Sequence, residues 1–227
     1  MIKQDTRTRR TPKKSYHHDG LREAVLEKTL LFLRDHPVQD LSMREIARDL
    51  GVSHMAPYRH FASKEDILAA LIENGFRQLT AKFQESDQKG TLIYPETFYA
   101  HVKAYVQFFL KNPDVARLMF TSGYFDKGDF TGVHDAGHDA FSCLTRLVQR
   151  GQKEGFIGET QNLYMVSFMI WSSVHGASVL IFEKQFQEID QAPDVDVGAF
   201  TRFLAEKLLL GFSSAKSQGA GQDLATD

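Results

Sequence analysis

Four residues stand at a spacing that could hold a metal ion. His134 and His138 lie four positions apart, with Asp135 and Asp139 beside them. On a helix, histidines at i and i+4 share a face and can ligate one metal, with carboxylates nearby. A metal-dependent hydrolase or a metal-sensing regulator would use such a set. Gly132 and Gly137 weaken the helix this geometry needs, and the sequence implies no further His or Cys ligand nearby. Other signatures of catalysis are missing. There is no G-x-S-x-G, no P-loop and no G-x-G-x-x-G. The single cysteine, Cys143, cannot form an intrachain disulfide and reads as a small core residue. The residues favour a binding protein without a cofactor over an enzyme.

A second set suits nucleic acid. The first 18 residues hold Lys3, Arg7, Arg9, Arg10, Lys13 and Lys14 against Asp5 alone. Such an arm is either a solvated tail or a segment that follows DNA phosphates or enters a minor groove. The whole chain of 227 residues has 27 Lys and Arg against 29 Asp and Glu, a net charge of −2, so a uniformly basic coat is excluded. The charge is uneven all the same. Residues 1–66 hold 13 basic and 10 acidic side chains, and the remainder holds 14 and 19. Hydrophobic residues make up 42% and charged residues 25%, the balance of a globular protein. The polar, basic N-terminus lacks the apolar run of a signal peptide, and the expected location is cytoplasmic.

The elements that must position these residues are helical. Residues 19–36 form a first helix with Asp19 as N-cap, an apolar face of Leu21, Ala24, Val25 and Phe32, and a stop at Pro37. Ser42-Met43-Arg44-Glu45 is a capping box, followed by Met43, Ile46, Ala47 and Leu50 at helical spacing. Gly51 ends that helix. Ser53 then caps a third, carrying residues 54–61, in which Pro57 removes one backbone bond and makes the start irregular. Ser63 to Asp66 opens a fourth. Later helices are expected near 95–111, 114–121, 134–150, 161–184 and 196–211, with breaks at Gly151, Gly155 and Gly158. No strand is expected, so the class is all-α. The segment from Leu163 to Phe182 has the length of a membrane span and no formal charge. Its Ser167, Ser172, Ser173, His175, Gly176 and Ser178 fit a helix buried on all sides better, in a core or a subunit interface, with no membrane partner. The expected domains are a basic arm at 1–18, a DNA-binding domain at 19–66, a larger helical domain at 67–212 and a tail at 213–227.

Two short capped helices joined by a glycine turn at 42–61 make a helix-turn-helix candidate. Its second helix offers His54, Ala56, Tyr58, Arg59 and His60, a set that a plain helical hairpin would rarely expose. Gly51-Val52-Ser53, Tyr58-Arg59-His60-Phe61 and Ser63-Lys64-Glu65 with Leu68 resemble the signature of the tetracycline-repressor (TetR) family of bacterial regulators. Tyr16 to Arg22 resembles the entry to the first helix in one branch of it. Trp171, His175 and Gly176 resemble the Trp-His-Gly feature of one class of its C-terminal domains. The resemblance implies a three-helix DNA-binding domain, a linking helix and a larger helical domain that dimerises through its last two long helices. It implies a homodimer that represses transcription from double-stranded DNA, at a palindromic site, until a small molecule binds. By the same resemblance Ser42 and Arg44 touch phosphate or a base edge, Tyr58, His60 and Lys64 meet phosphates, and Ser53, His54, Met55, Ala56 and Arg59 belong to the reading segment. Without Asn or Gln there, bidentate reading of adenine is not available, while Arg44 or Arg59 can read guanine or hold phosphate.

Nine aromatic residues fall between Tyr94 and Phe125. Tyr105, Phe108, Met119, Phe120, Phe168, Met169, Trp171 and His175 are the candidates to line the cavity that the family implies, for a small apolar or aromatic effector. The alternative for each is plain core packing, and for His175 a satisfied structural histidine.

Overall fold

The computed structural model describes residues 20–88, 93–120, 130–184 and 195–213. The arm at 1–18, Asp19 and the tail beyond Ser213 lie outside them. Among the described residues there is helix and no strand, in eight α-helices: α1 Gly20–Asp35, α2 Met43–Asp49, α3 Lys64–Gln88, α4 Tyr94–Lys111, α5 Pro113–Phe120, α6 Thr131–Lys153, α7 Leu163–Phe182 and α8 Val197–Phe212. The chain divides into two compact units, one ending at Leu68 and the other beginning at Ala69.

The smaller unit forms around α1, α2 and the start of α3. Val25, Ile46, Ile67 and Leu68 are all but excluded from solvent. Helix α2 ends as glycine dictates. Gly51 takes φ +68°, the Val52 N–H donates to Ala47 and the Gly51 N–H to Arg48, so the terminal carbonyls are satisfied. Its start departs from expectation. Ser42 has the extended backbone of an N-cap, but its hydroxyl makes no capping bond. Glu45 turns instead to Arg48, at 3.3 Å. The capping box forms at α3: Ser63 Oγ accepts from the Asp66 N–H, and the Asp66 carboxylate accepts from the Ser63 and Ala62 N–H groups.

The larger correction concerns residues 54–61. They form no α-helix; a turn leads into a short 3₁₀ segment, Pro57–Arg59. Pro57 has no N–H to return to Ser53, and the Ala56 N–H takes that carbonyl at 2.9 Å. The bonds that follow, Arg59 to Ala56 and His60 to Pro57, keep the tighter register.

In the larger unit, α4 packs on α7 and α8, and α6 packs on α7. Tyr94, Phe98, Val106, Val148 and Ile157 fill its interior. Helix α7 is capped by the Asn162 side chain, which accepts from the Tyr164 and Met165 N–H groups. Asp196 does the same for α8. Helix α7 is long and apolar enough to cross a membrane, yet it is buried on one face only. Val166, Ser167, Ile170, Val174, Ala177 and Ser178 turn inward, and the Ser167 and Ser178 hydroxyls bond to carbonyls one turn back. Tyr164, Met165, Phe168, Met169 and Leu180 are exposed. Burial on all sides is therefore not met within one chain.

Gly151, expected to break a helix, lies inside α6. A Cβ there would overlap the Tyr94 hydroxyl and come within 2.9 Å of Ile157. Tyr94 is fully buried and donates to the Leu147 carbonyl at 3.1 Å. The glycine is small because the tyrosine needs the space. The real break is Gly155, at φ +79°. Gly151→Ala is expected to lower stability by about 1–3 kcal/mol despite alanine's better helix propensity. Urea denaturation checks this; an unchanged midpoint would disprove the close fit.

Candidate functional site

The reading segment sits on the surface of the smaller unit because Pro57 and Phe61 are buried beneath it. Arg22 lies over the Phe61 ring, 5.4 Å from its centroid. Anchored at those two points, the segment turns Ser53, His54, Met55, Tyr58 and Arg59 outward. Ala56 is half-buried. His60 is half-buried too, with Nε2 turned away from solvent. Arg44 is exposed on α2 and Ser42 is half-buried. Lys64, in the first turn of α3, donates to the Gln39 carbonyl at 3.3 Å.

The charges on this unit are unequally used. Arg48 faces Glu45 and Asp49, and Lys28 pairs with Asp49 at 3.0 Å. Among the described residues neither Arg44 nor Arg59 enters an ion pair. These two guanidinium groups can thus meet phosphate or a guanine edge without first breaking an ion pair.

The larger unit contains a cavity of about 460 Å³. Five helices wall it: Phe76, Leu79 and Phe83 from α3; Phe98, His101, Val102 and Tyr105 from α4; Met119 and Phe120 from α5; Val133, His134, His138 and Phe141 among others from α6; Phe168, Ile170, Trp171 and Val174 from α7. Among the described residues no Lys, Arg, Asp or Glu lines it. Of the eight residues named from the sequence, Tyr105, Met119, Phe120, Phe168 and Trp171 are in the wall. Phe108 is buried elsewhere, and Met169 is 58% exposed. His175 stands behind the wall, its ring edge-on to Phe109 and Phe120.

The Tyr105 hydroxyl in the wall is paired on both sides. Trp171 Nε1 donates to the Tyr105 oxygen at 3.3 Å, and the Tyr105 hydroxyl meets His175 Nδ1 at 2.9 Å. Since indole is only a donor, the tyrosine proton goes to His175, whose Nδ1 accepts. Burial pulls His175 below the ordinary imidazole value and pushes the Tyr105 hydroxyl above the ordinary phenol value, so both are held neutral. At another point His101, buried and stacked on Phe83, bonds to Asp87 at 2.8 Å. That bond, opposed by partial burial, holds the Asp87 carboxyl below the ordinary carboxylate range. His101 and the α3 residues escaped the sequence reading. Their helical spacing, Phe76, Leu79 and Phe83, was visible, but a cavity wall and a core carry the same pattern.

His134, Asp135, His138 and Asp139 are exposed on α6. Among the described residues no group of three or more His, Cys, Asp or Glu could hold a metal ion. The metal reading finds no support.

Comparison with known proteins agrees with both units. Residues 25–71 match the model of bacterial regulatory proteins of the tetR family, and residues 98–207 match the tetracyclin repressor-like C-terminal domain. The chain belongs to the TetR family of bacterial regulators. It is a DNA-binding transcriptional regulator of that family. It is 27% identical over 142 residues to the nucleoid occlusion factor SlmA of Idiomarina loihiensis, covering 62% of this chain and 70% of that one. The match to SlmA of Actinobacillus pleuropneumoniae, at 32% identity, covers 49% of this chain and about half, 54%, of that protein. A structure of a protein of unknown function from Rhodococcus sp. RHA1 superposes with a TM-score of 0.72 at 28% identity, over 88% of this chain and 100% of that one. The regulator FadR of Bacillus subtilis, solved with stearoyl-CoA, shares the fold at TM-score 0.68 and 16% identity, over 83% and 98%.

The Asp87 bond makes a pH prediction. A carboxyl depressed in the folded state adds stability above its unfolded value, and loses it as pH falls through the folded one. Asp87→Asn is expected to destabilise at neutral pH, and the gap from the native chain is expected to close under acid. Equal gaps at both pH values would show that the His101 bond contributes nothing through charge.

Proposed function

We propose that this chain is a homodimeric repressor, released from a palindromic operator when a small, largely apolar molecule fills the cavity of its larger unit. One observation carries the reading. Helix α3 is continuous from Lys64, beside the reading segment, to Gln88, and its middle supplies Phe76, Leu79 and Phe83 to the cavity wall. An effector pressing on those rings acts on the same helix that begins at the DNA-binding residues. Two such subunits must hold their reading segments about 34–36 Å apart, one turn of DNA. A ligand that prefers a different packing of α3 shifts the population away from that spacing. Arg44, Tyr58, Arg59 and Lys64 supply the phosphate and base contacts, with Ser53, His54, Met55 and Ala56 toward the bases.

The homodimer is supported by the outer face of α7 and α8. Met165, Met169, Phe203 and Leu210 are all more than half exposed, and Gly176 and Gly211 face open space. A second copy of the same face would cover this surface by two-fold symmetry. A soluble, intracellular life on the nucleoid follows from the DNA-binding role.

Selection from a random DNA pool is expected to enrich a palindrome, with affinity falling steeply as salt rises. Arg59→Ala is expected to weaken binding; if Arg59 meets phosphate, the log–log salt slope drops by about one. No enriched palindrome would sink the repressor reading. Met165→Asp with Phe203→Asp is expected to yield monomers in sedimentation and to abolish operator binding. A variant that stays dimeric would place the interface elsewhere.

A further inference from the structure

The described lining of the cavity offers no partner for a buried charge. Among the described residues no acidic or basic chain lines it apart from the histidines, Tyr105 is bonded on both sides, and His101 is engaged with Asp87. An anion buried there would be unpaired, at great cost. His134 and His138 differ from every other polar group in the wall. Both line the cavity and both are exposed, so they stand at its rim. Four residues apart on α6, they present two imidazoles on one helix face. Phe168 stands there too, lining the cavity while 51% exposed. Asp135 and Asp139 are exposed but do not line it, being one position further round the helix. The nearest acidic group on α3, Glu73 beside Gly132, is paired with Arg77.

We infer that the effector is an amphiphile with an oxyanion head. Its hydrocarbon body fills the apolar cavity, and a carboxylate or phosphate head accepts hydrogen bonds from His134 and His138 at the rim. A metal needs a third ligand that these residues lack. An oxyanion needs donors, and two imidazole N–H groups on one face provide them. The inference rests on the cavity being the effector site proposed above.

Trp171 is the only tryptophan in the chain and lies in the cavity wall, so its fluorescence reports occupancy. The full chain is titrated with decanoate, decyl phosphate and decanol below their micelle concentrations, with operator binding measured alongside. At least one anion is expected to bind about tenfold or more tightly than the alcohol, the scale of hydrogen bonds to a charged group. Whichever anion responds identifies the head. In His134→Ala/His138→Ala that advantage is expected to vanish, while decanol binds as before and confirms an intact cavity. Equal binding of anions and alcohol to the native chain overturns the inference. So does an anion preference that survives both substitutions. Decanol alone binding and releasing DNA would leave the effector reading standing and remove the rim assignment. No response of Trp171 to any of the three would bring down both.

Discussion

The larger unit depends on the Tyr105 hydroxyl. It sits where α4 meets α7, in a wall that is otherwise almost wholly apolar. Left unpaired there, it would cost more than most packing contacts return. Trp171 and His175, one turn apart on α7, give it one donor and one acceptor. The bond fixes α7 in rotation as well as position. Trp171 then faces the cavity, Val174 and Ala177 turn inward, and Met165 and Met169 turn out. A cavity can stay open because the polar groups of its interior are paired, Tyr105 with Trp171 and His175, and His101 with Asp87.

In the smaller unit the governing constraint is Pro57. Its missing N–H prevents the regular helix that the flanking residues would permit. Its buried ring, with Phe61, pins a short segment to the core and leaves Met55, Tyr58 and Arg59 at the surface. A reading element this short presents few side chains to a groove. The unpaired state of Arg44 and Arg59 matters correspondingly more, since sequence discrimination and phosphate attraction fall on few groups.

Each unit is built around a feature of α3. Its first turn closes a capping box through Ser63 and Asp66, and its middle carries aromatic rings into the cavity wall. A helix unbroken from Lys64 to Gln88 is stiff along its axis.

Much of this was legible in the residues. Helical period, the glycine ending α2 and the serine opening α3 are short-range signals, decided by neighbours within one turn. The reading-segment motif could be identified for the same reason. Where the sequence misled, the deciding partner was either distant or a competing near neighbour. Gly151 looked like a break until Tyr94, far away in sequence, claimed its space. The capping box at Ser42 was lost when Glu45 turned to Arg48. Phe108 and Met119 are equally apolar, yet only Met119 faces the cavity. The sequence by itself determined the all-helical class, most helix ends and the family, because these rest on local bonding and motif spacing. Only the tertiary structure decided which aromatics surround a void, which face of α7 stays bare and that His134 and His138 share a cavity rim. Those outcomes depend on how helices far apart in the chain pack against one another.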